Sequence, residues 1–252
     1  ATLVSRVLGS VIMITLLRNP YNKIFVRGFR TFRPNGGMIR RILKVGVPNG
    51  LENGMFHIGR ILVTSIITTY GTVSIAANAA ANNISSLAQI PSVAIGLALI
   101  TVVGQCIGAQ EQQQAKTYIK RFTLLSYGAL TVLSLLTMLA SRTLAGFYHL
   151  SPQATDLVVK VTVIGCAGFI LLWPLSFTIP NGLRAAGDVR FTMIVSVLCM
   201  WICRIGLSYL IGTVLGYGLP GVWFSMCVDW AFRSIAFVLR LHGDKWRQKQ
   251  LI

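Results

Sequence analysis

The sequence predicts an all-α membrane protein, a six-helix transmembrane lobe preceded by the end of another membrane helix. Three observations lead there. Hydrophobic residues make up 54% of the 252-residue chain and charged residues only 12%, with a mean hydropathy of +0.68, far more apolar than a soluble domain of that size. Apolar runs of about 20 residues, the length a helix needs to cross a bilayer, follow one another along the chain. Basic residues fall in alternate loops between those runs, as short cytoplasmic loops require.

Residues 1–18 come first. The run Leu3 to Leu17 is interrupted by Arg6 and has no signal-peptide cleavage pattern, so it reads as the end of a membrane helix whose beginning lies outside this sequence. The chain is therefore expected to be a fragment. Residues 19–44 form a basic linker carrying Lys23, Arg27, Arg30, Arg33, Arg40, Arg41 and Lys44, which places it in the cytoplasm. Ile24, Phe25, Phe29 and Phe32 interleave with the arginines. That pattern suits nucleic acid, anionic lipid or a segment in the headgroup layer, and the lipid surface is preferred, with no nucleic-acid partner. Gly36 and Gly37 supply a flexible joint.

Residues 45–240 are the lobe. Its six spans are read as Val45 to Tyr70, Val73 to Val103, Phe122 to Leu144, Leu157 to Pro180, Phe191 to Val214 and Gly221 to Leu239. One set of loops carries Lys116, Lys120 and Arg121, then Arg184 and Arg190. The tail, residues 241–252, holds Lys245, Arg247 and Lys249, with Arg240 just before it. The opposite loops, Gly71 to Thr72, Ala145 to Asp156 and Leu215 to Pro220, contain no Lys or Arg. A multi-pass protein of the cell membrane follows, with linker and C-terminus cytoplasmic. This topology accounts for the net charge of +17 without a nucleic-acid surface.

Chemistry in a membrane concentrates at polar residues inside spans. Cys106, Cys166, Cys199, Cys203 and Cys227 lie in or beside apolar segments without metal-ligand spacing, and read as small hydrophobes. There is no carboxylate dyad, nucleophile with a base, phosphate loop or metal motif, so neither an enzyme, a cofactor nor a metal site is expected. Asn78, Asn82, Ser85 and Gln89 recur at helical spacing in the second span and share one face. Interhelical hydrogen bonding and cavity lining both explain such a stripe. Pro91 follows and permits a kink.

Glu52 is the lone acid between Val45 and Tyr70. A carboxylate is costly in hydrocarbon, so one that persists there faces a cavity, a partner or a transported ion. Counting from Lys44 at the interface, eight residues at about 1.5 Å each place Glu52 roughly 12 Å deeper. Two uses stay open: ion coupling, with Asn49 and Asn53 beside it, or complementing the dipole of a helix that begins at Pro48. Arg60 lies about two turns further on the same face, and His57 is one turn from Asn53. In the last two spans Asp229 and Arg233 are spaced to pair, with Arg204 in reach from the neighbouring helix, so these three are expected to form structural ion pairs. Phe56, Trp173 and Phe177 offer aromatic faces to a cation, or simply pack.

Three stretches resemble the multidrug and toxic compound extrusion (MATE) transporters. They are Gly46-Val47-Pro48-Asn49-Gly50-Leu51-Glu52-Asn53; Gln89-Ile90-Pro91 leading into Val103-Gly104-Gln105-Cys106-Ile107-Gly108-Ala109; and Gly182-Leu183-Arg184-Ala185-Ala186-Gly187-Asp188. The resemblance spans nearly the whole chain and rests on the order and spacing of motifs at matching helix ends. It implies a fold of two six-helix lobes, of which this chain is similar to the C-terminal one and lacks the N-terminal lobe. It also implies secondary active efflux of organic cations or amphipathic small molecules, in antiport with sodium ions or protons by alternating access. Well-studied branches carry a glutamate where this sequence has Phe56 and an aspartate near Trp173. Both acids are missing here, which leaves Glu52, with Asn49 and Asn53, to take over ion coupling. Asn78, Asn82, Ser85, Gln89, Phe56 and Trp173 are the expected substrate cavity. The alternatives are a flippase of lipid-linked oligosaccharides from the same superfamily, with Arg60, Arg204 and Arg233 facing a basic cavity, or a non-transport membrane scaffold with Glu52 paired in a dry interface.

Overall fold

The computed structural model describes residues 2–18, 35–243 and 246. Lys23, Arg27, Arg30, Arg33 and the interleaved Ile24, Phe25, Phe29 and Phe32 lie outside the described residues, as do Lys245, Arg247 and Lys249 of the tail. The chain divides into two compact units, Ala1–Leu43 and Lys44–Ile252. The first contains helix α1, Thr2–Arg18, with Val4, Leu8 and Val11 exposed along it. It also contains the opening turns of α2, Gly36–Thr68.

The second unit is built from helices throughout its described residues. After α2 come α3, Thr72–Gly108, and α4, Gln112–Gly146; α5, Pro152–Leu171, and the short α6, Ile179–Ala185; then α7, Val189–Cys199, and α8, Gly218–His242. Ser151 caps α5 by accepting a hydrogen bond from the Ala154 amide at 3.3 Å, and Pro152 occupies the first turn, where a missing N–H costs nothing. Among the described residues, five helices are long and apolar enough to cross a membrane: α3, α4, α5, the continuous stretch Val189–Val214, and α8. At 33 residues α2 matches them in length. It falls short in apolarity because Glu52, Asn53, His57 and Arg60 interrupt its hydrophobic run.

Pro48 does not begin a helix, since α2 starts at Gly36 and runs through it. Glu52 is thus well inside the helix, where no unpaired N–H groups remain for it to complement. α3 likewise runs through Pro91. The helix breaks fall elsewhere, in wider π-helical turns at Pro174–Thr178, Met200–Gly206 and Ser208–Val214. Such turns re-aim side chains and often accompany functional positions.

Two buried clusters hold the unit together. One joins Val63 and Ile67 of α2, Ala77, Ala81 and Ile84 of α3, Phe169 of α5, and Trp223 and Trp230 of α8. The other joins Leu99 and Val103 of α3, Ile119 of α4, Leu183 of α6, Phe237 of α8, and Trp246. α3, α4 and α8 run through both clusters and act as the common posts. Small residues bring the posts close to their neighbours: a side chain on Gly165 or Gly168 of α5 would collide with Trp223 or with Cys227 and Trp230, the close backbone approach that membrane bundles favour. Leu97, Leu124, Leu139 and Leu239 stay exposed on the outer faces, as expected for surfaces covered by lipid rather than water.

Candidate functional site

A cavity of about 310 Å³ opens inside the second unit. Phe56 and Arg60 enter it from α2, and Asn82, Ser85 and Gln89 from α3. Phe169 and Trp173 with Phe177 line it at the end of α5, Arg204 from the π-helical stretch, and Trp223, Met226 and Trp230 from α8. Five of the six expected cavity residues, Phe56, Asn82, Ser85, Gln89 and Trp173, therefore meet in one place. Asn78 lines a small adjoining pocket of about 50 Å³ together with Asn82, Arg60 and Arg204.

Both uses of the polar stripe are present. Asn78 Oδ1 accepts a hydrogen bond from the indole N–H of Trp223 at 3.1 Å, tying α3 to α8. Asn82 donates to the Asn78 carbonyl on its own helix at 2.7 Å and keeps its side chain toward the opening. Ser85 Oγ is buried without a hydrogen-bond partner among the described residues.

The aromatic wall is a connected stack. Trp173 lies on Phe177 with ring centres 3.8 Å apart, and meets Phe169 and Trp230 edge to face at 5.2 Å each. Sequence reading singled out Trp173 and Phe177 but missed Phe169, Trp223 and Trp230. The signal for the last two was available, because a spacing of seven places them on one face of α8.

Of the cavity, partner or ion that an acid in this span is expected to face, Glu52 has a partner. Arg184 Nη2 donates to Glu52 Oε1 at 2.5 Å, across a gap of 132 residues in sequence. Glu52 is only 7% exposed, and its second oxygen, Oε2, has no hydrogen-bond partner among the described residues. It stands one turn before Phe56, outside the cavity wall. Asn49 and Asn53 are not gathered around it: both are exposed, and the Asn53 amide donates to the Asn49 carbonyl at 2.9 Å.

Arg184 belongs to the stretch Gly182 to Asp188, and the structure gives that stretch physical meaning. Gly182 lets α6 press against Ile119, where any Cβ would clash. Arg184 also donates to Asn181 Oδ1 at 3.0 Å. Gly187 turns the chain with a φ of 95°, a conformation that favours glycine. Asp188 then receives Arg240 Nε at 2.6 Å, fixing the turn to α8.

The expected triad of Arg204, Asp229 and Arg233 assembles only in part. Asp229 Oδ1 accepts from Arg233 Nε at 3.0 Å, with both side chains buried, and Arg233 Nη2 also donates to the Ser196 carbonyl at 3.1 Å. Arg204 forms no ion pair with Asp229, whose Oδ2 stays buried without a hydrogen-bond partner among the described residues. Its Nη2 instead rests 2.8 Å from the Met226 sulfur, its guanidinium lies 5.6 Å from the centre of Phe56, and its Nε is buried without a hydrogen-bond partner among the described residues.

The MatE family model matches residues 48–210, which include the Glu52 helix, the polar stripe and the 182–188 turn. The chain belongs to the MatE family. The "Uncharacterized transporter YisQ" of Bacillus subtilis is 27% identical over 251 residues, covering 99% of this chain and 54% of that protein. The "Probable multidrug resistance protein NorM" of Thermotoga maritima is 24% identical over 253 residues, covering 100% of this chain and 54% of that protein. An outward-facing multidrug resistance MATE family transporter of the MOP superfamily superposes with a TM-score of 0.84 at 18% identity, over 95% of this chain and 55% of that one. The chain thus spans about half the length of the relatives it matches. Members of the MatE family are transporters rather than enzymes, and this chain is a multi-pass membrane protein by family and by its apolar helices.

Proposed function

We propose that this chain is the C-terminal lobe of a MATE-type exporter of amphipathic small molecules, working by alternating access against a second lobe of the same protein. The cavity carries this reading: residues from sequence-distant helices, polar on one wall and aromatic on the other, surround a common space. A ligand that binds one conformation of such a lobe better than the other shifts the equilibrium between them, and transporters place that site where discontinuous helices meet. Arg204, Trp173 and Phe177 all sit in or beside π-helical breaks. In this reading the basic linker and the tail are cytoplasmic.

Coupling to sodium ions or protons is assigned to Glu52, with a change in its chemistry. Arg184 already neutralises the acid, so an incoming ion or proton must displace that guanidinium. Coupling then works by opening a pair that joins α2 to α6.

A scaffold without transport accounts for the Glu52–Arg184 pair but not for the cavity. The flippase reading finds support in Arg60 and Arg204, which line the opening, and none in Arg233, which is buried and paired with Asp229. Efflux of an amphipathic dye from cells producing the full-length protein, run with and without a sodium gradient and then with and without a proton gradient, tests the assignment. Gradient-dependent efflux that Glu52→Gln uncouples agrees with it; undiminished gradient-dependent efflux by Glu52→Gln rejects Glu52 as the coupling residue.

A further inference from the structure

The cavity holds two arginines and no acid. Arg60 and Arg204 line both the main space and the small pocket beside it. The carboxylates of Glu52, Asp156, Asp188 and Asp229 are each bound by a different arginine, namely Arg184, Arg142, Arg240 and Arg233. Neither Arg60 nor Arg204 forms an ion pair among the described residues. Low-dielectric walls strengthen the field of such charges and focus it into the opening.

Two further donors in the wall add to this, beside the hydroxyl of Ser85, unpartnered among the described residues, which can donate or accept. The Arg204 Nε and Trp230 Nε1 hydrogens, both donors, are buried beneath the cavity without a hydrogen-bond partner among the described residues. A buried donor left unpaired is costly, and an acceptor that settles against it removes the cost. The ring faces that an organic cation would seek are already used from within. Phe56 has Arg204 at 5.6 Å and Arg233 at 5.3 Å from its centre, and Phe177 has Arg233 at 5.8 Å on top of its stacking with Trp173. An organic cation, the cargo implied by the family resemblance, would enter against two guanidinium groups.

We propose that the cavity takes an amphipathic organic anion. A carboxylate, sulfonate or phosphate head lies against Arg60 and Arg204 with Asn82 as a further donor, and an apolar body lies along the wall at Trp173. Arginine suits this task because its planar fork gives paired hydrogen bonds to such oxygens. The assignment deepens the transporter reading and rests on it. The acidic head can belong to a free molecule or to a lipid-linked phosphate, since both present the same oxygens.

The test uses the full-length protein in nanodiscs and two probes with one apolar body, 2-naphthalenesulfonate and 2-naphthyltrimethylammonium. Calorimetric titration is expected to show the sulfonate binding at least about tenfold more tightly than the ammonium. The double variant Arg60→Gln with Arg204→Gln is expected to abolish that preference, and Arg60→Lys with Arg204→Lys to keep most of it, which separates lost charge from lost folding. Equal or tighter binding of the ammonium by the wild type overturns the proposal, as does an unchanged preference in the glutamine variant. Polyprenyl phosphate added to the nanodiscs tells the sources apart: if it displaces the sulfonate the head is lipid-borne, and if it does not the head is free. Gradient-driven movement of both probes in proteoliposomes separates the two readings. Export of the ammonium alone preserves the transporter and overturns the anion; tight arginine-dependent binding of the sulfonate with no export of either probe preserves the anion site and rejects the transporter.

Discussion

Arg184 closes on Glu52 at 2.5 Å, linking α2 to the last turn of α6. The acid that is alone in its own span is neutralised by a residue 132 positions away. Removing one member of such a pair leaves a buried charge uncompensated, which costs about 3–5 kcal/mol when burial is complete. Arg184 is partly exposed, so Arg184→Ala is expected to lie near the low end, about 3 kcal/mol. The charge-swapped protein, Glu52→Arg with Arg184→Glu, is expected to recover more than half of that loss in a denaturation series on the full-length protein. Strictly additive losses in the swap would show that the two side chains do not interact.

Asp229 and Arg233 are the most deeply buried ion pair, at 0% and 2% exposure. Asp229→Ala strands Arg233 and is expected to destabilise by about 3–5 kcal/mol, whereas replacing both residues together with Leu and Met is expected to cost far less. Thermal unfolding of the two variants side by side checks this. A double replacement as damaging as the single one would mean the pair is needed for more than charge balance.

Gly165 and Gly168 admit the rings of Trp223 and Trp230 against α5. Gly165→Ala and Gly168→Ala are each expected to cost about 1–3 kcal/mol through overpacking, with a matching fall in the yield of folded protein. Gly128, whose Cβ would meet nothing, supplies the contrast: Gly128→Ala is expected to be neutral or slightly stabilising. Equal losses at all three positions would contradict the close approach of α5 and α8.

Arg142 and Asp156 stand 3.7 Å apart with most of their side chains exposed. Solvent screens such a pair, so Arg142→Ala is expected to change stability by no more than about 0.5 kcal/mol. A loss as large as that of Arg184→Ala would mean that this site is shielded from solvent.

The helices were legible in the sequence because their signal is local. Apolar length marks Val73 to Val103 and Phe122 to Leu144, and the structure places α3 and α4 over them. The polar stripe was legible for the same reason, since Asn82, Ser85 and Gln89 share a face by spacing alone. Pairings across the bundle were not. Nothing near Glu52 points to Arg184, whose place in a basic loop is fully explained by topology. Arg204 is spaced to reach Asp229 on paper, yet it lies in a π-helical stretch with its guanidinium against Met226 and Phe56 instead. The aromatic wall was half legible: one pair of rings came from a single segment, while the rest depends on how α8 lies against α5.

The most direct measurement is dye efflux by the full-length protein carrying a bulky residue at one of two places, with abundance in the membrane held equal. Asn82→Trp fills the cavity and is expected to reduce efflux at least about tenfold, a barrier change of about 1.4 kcal/mol or more. Leu139→Trp, on an outer face where the native side chain is 85% exposed, is expected to transport like the wild type. Wild-type efflux by Asn82→Trp would contradict the claim that cargo passes through this cavity.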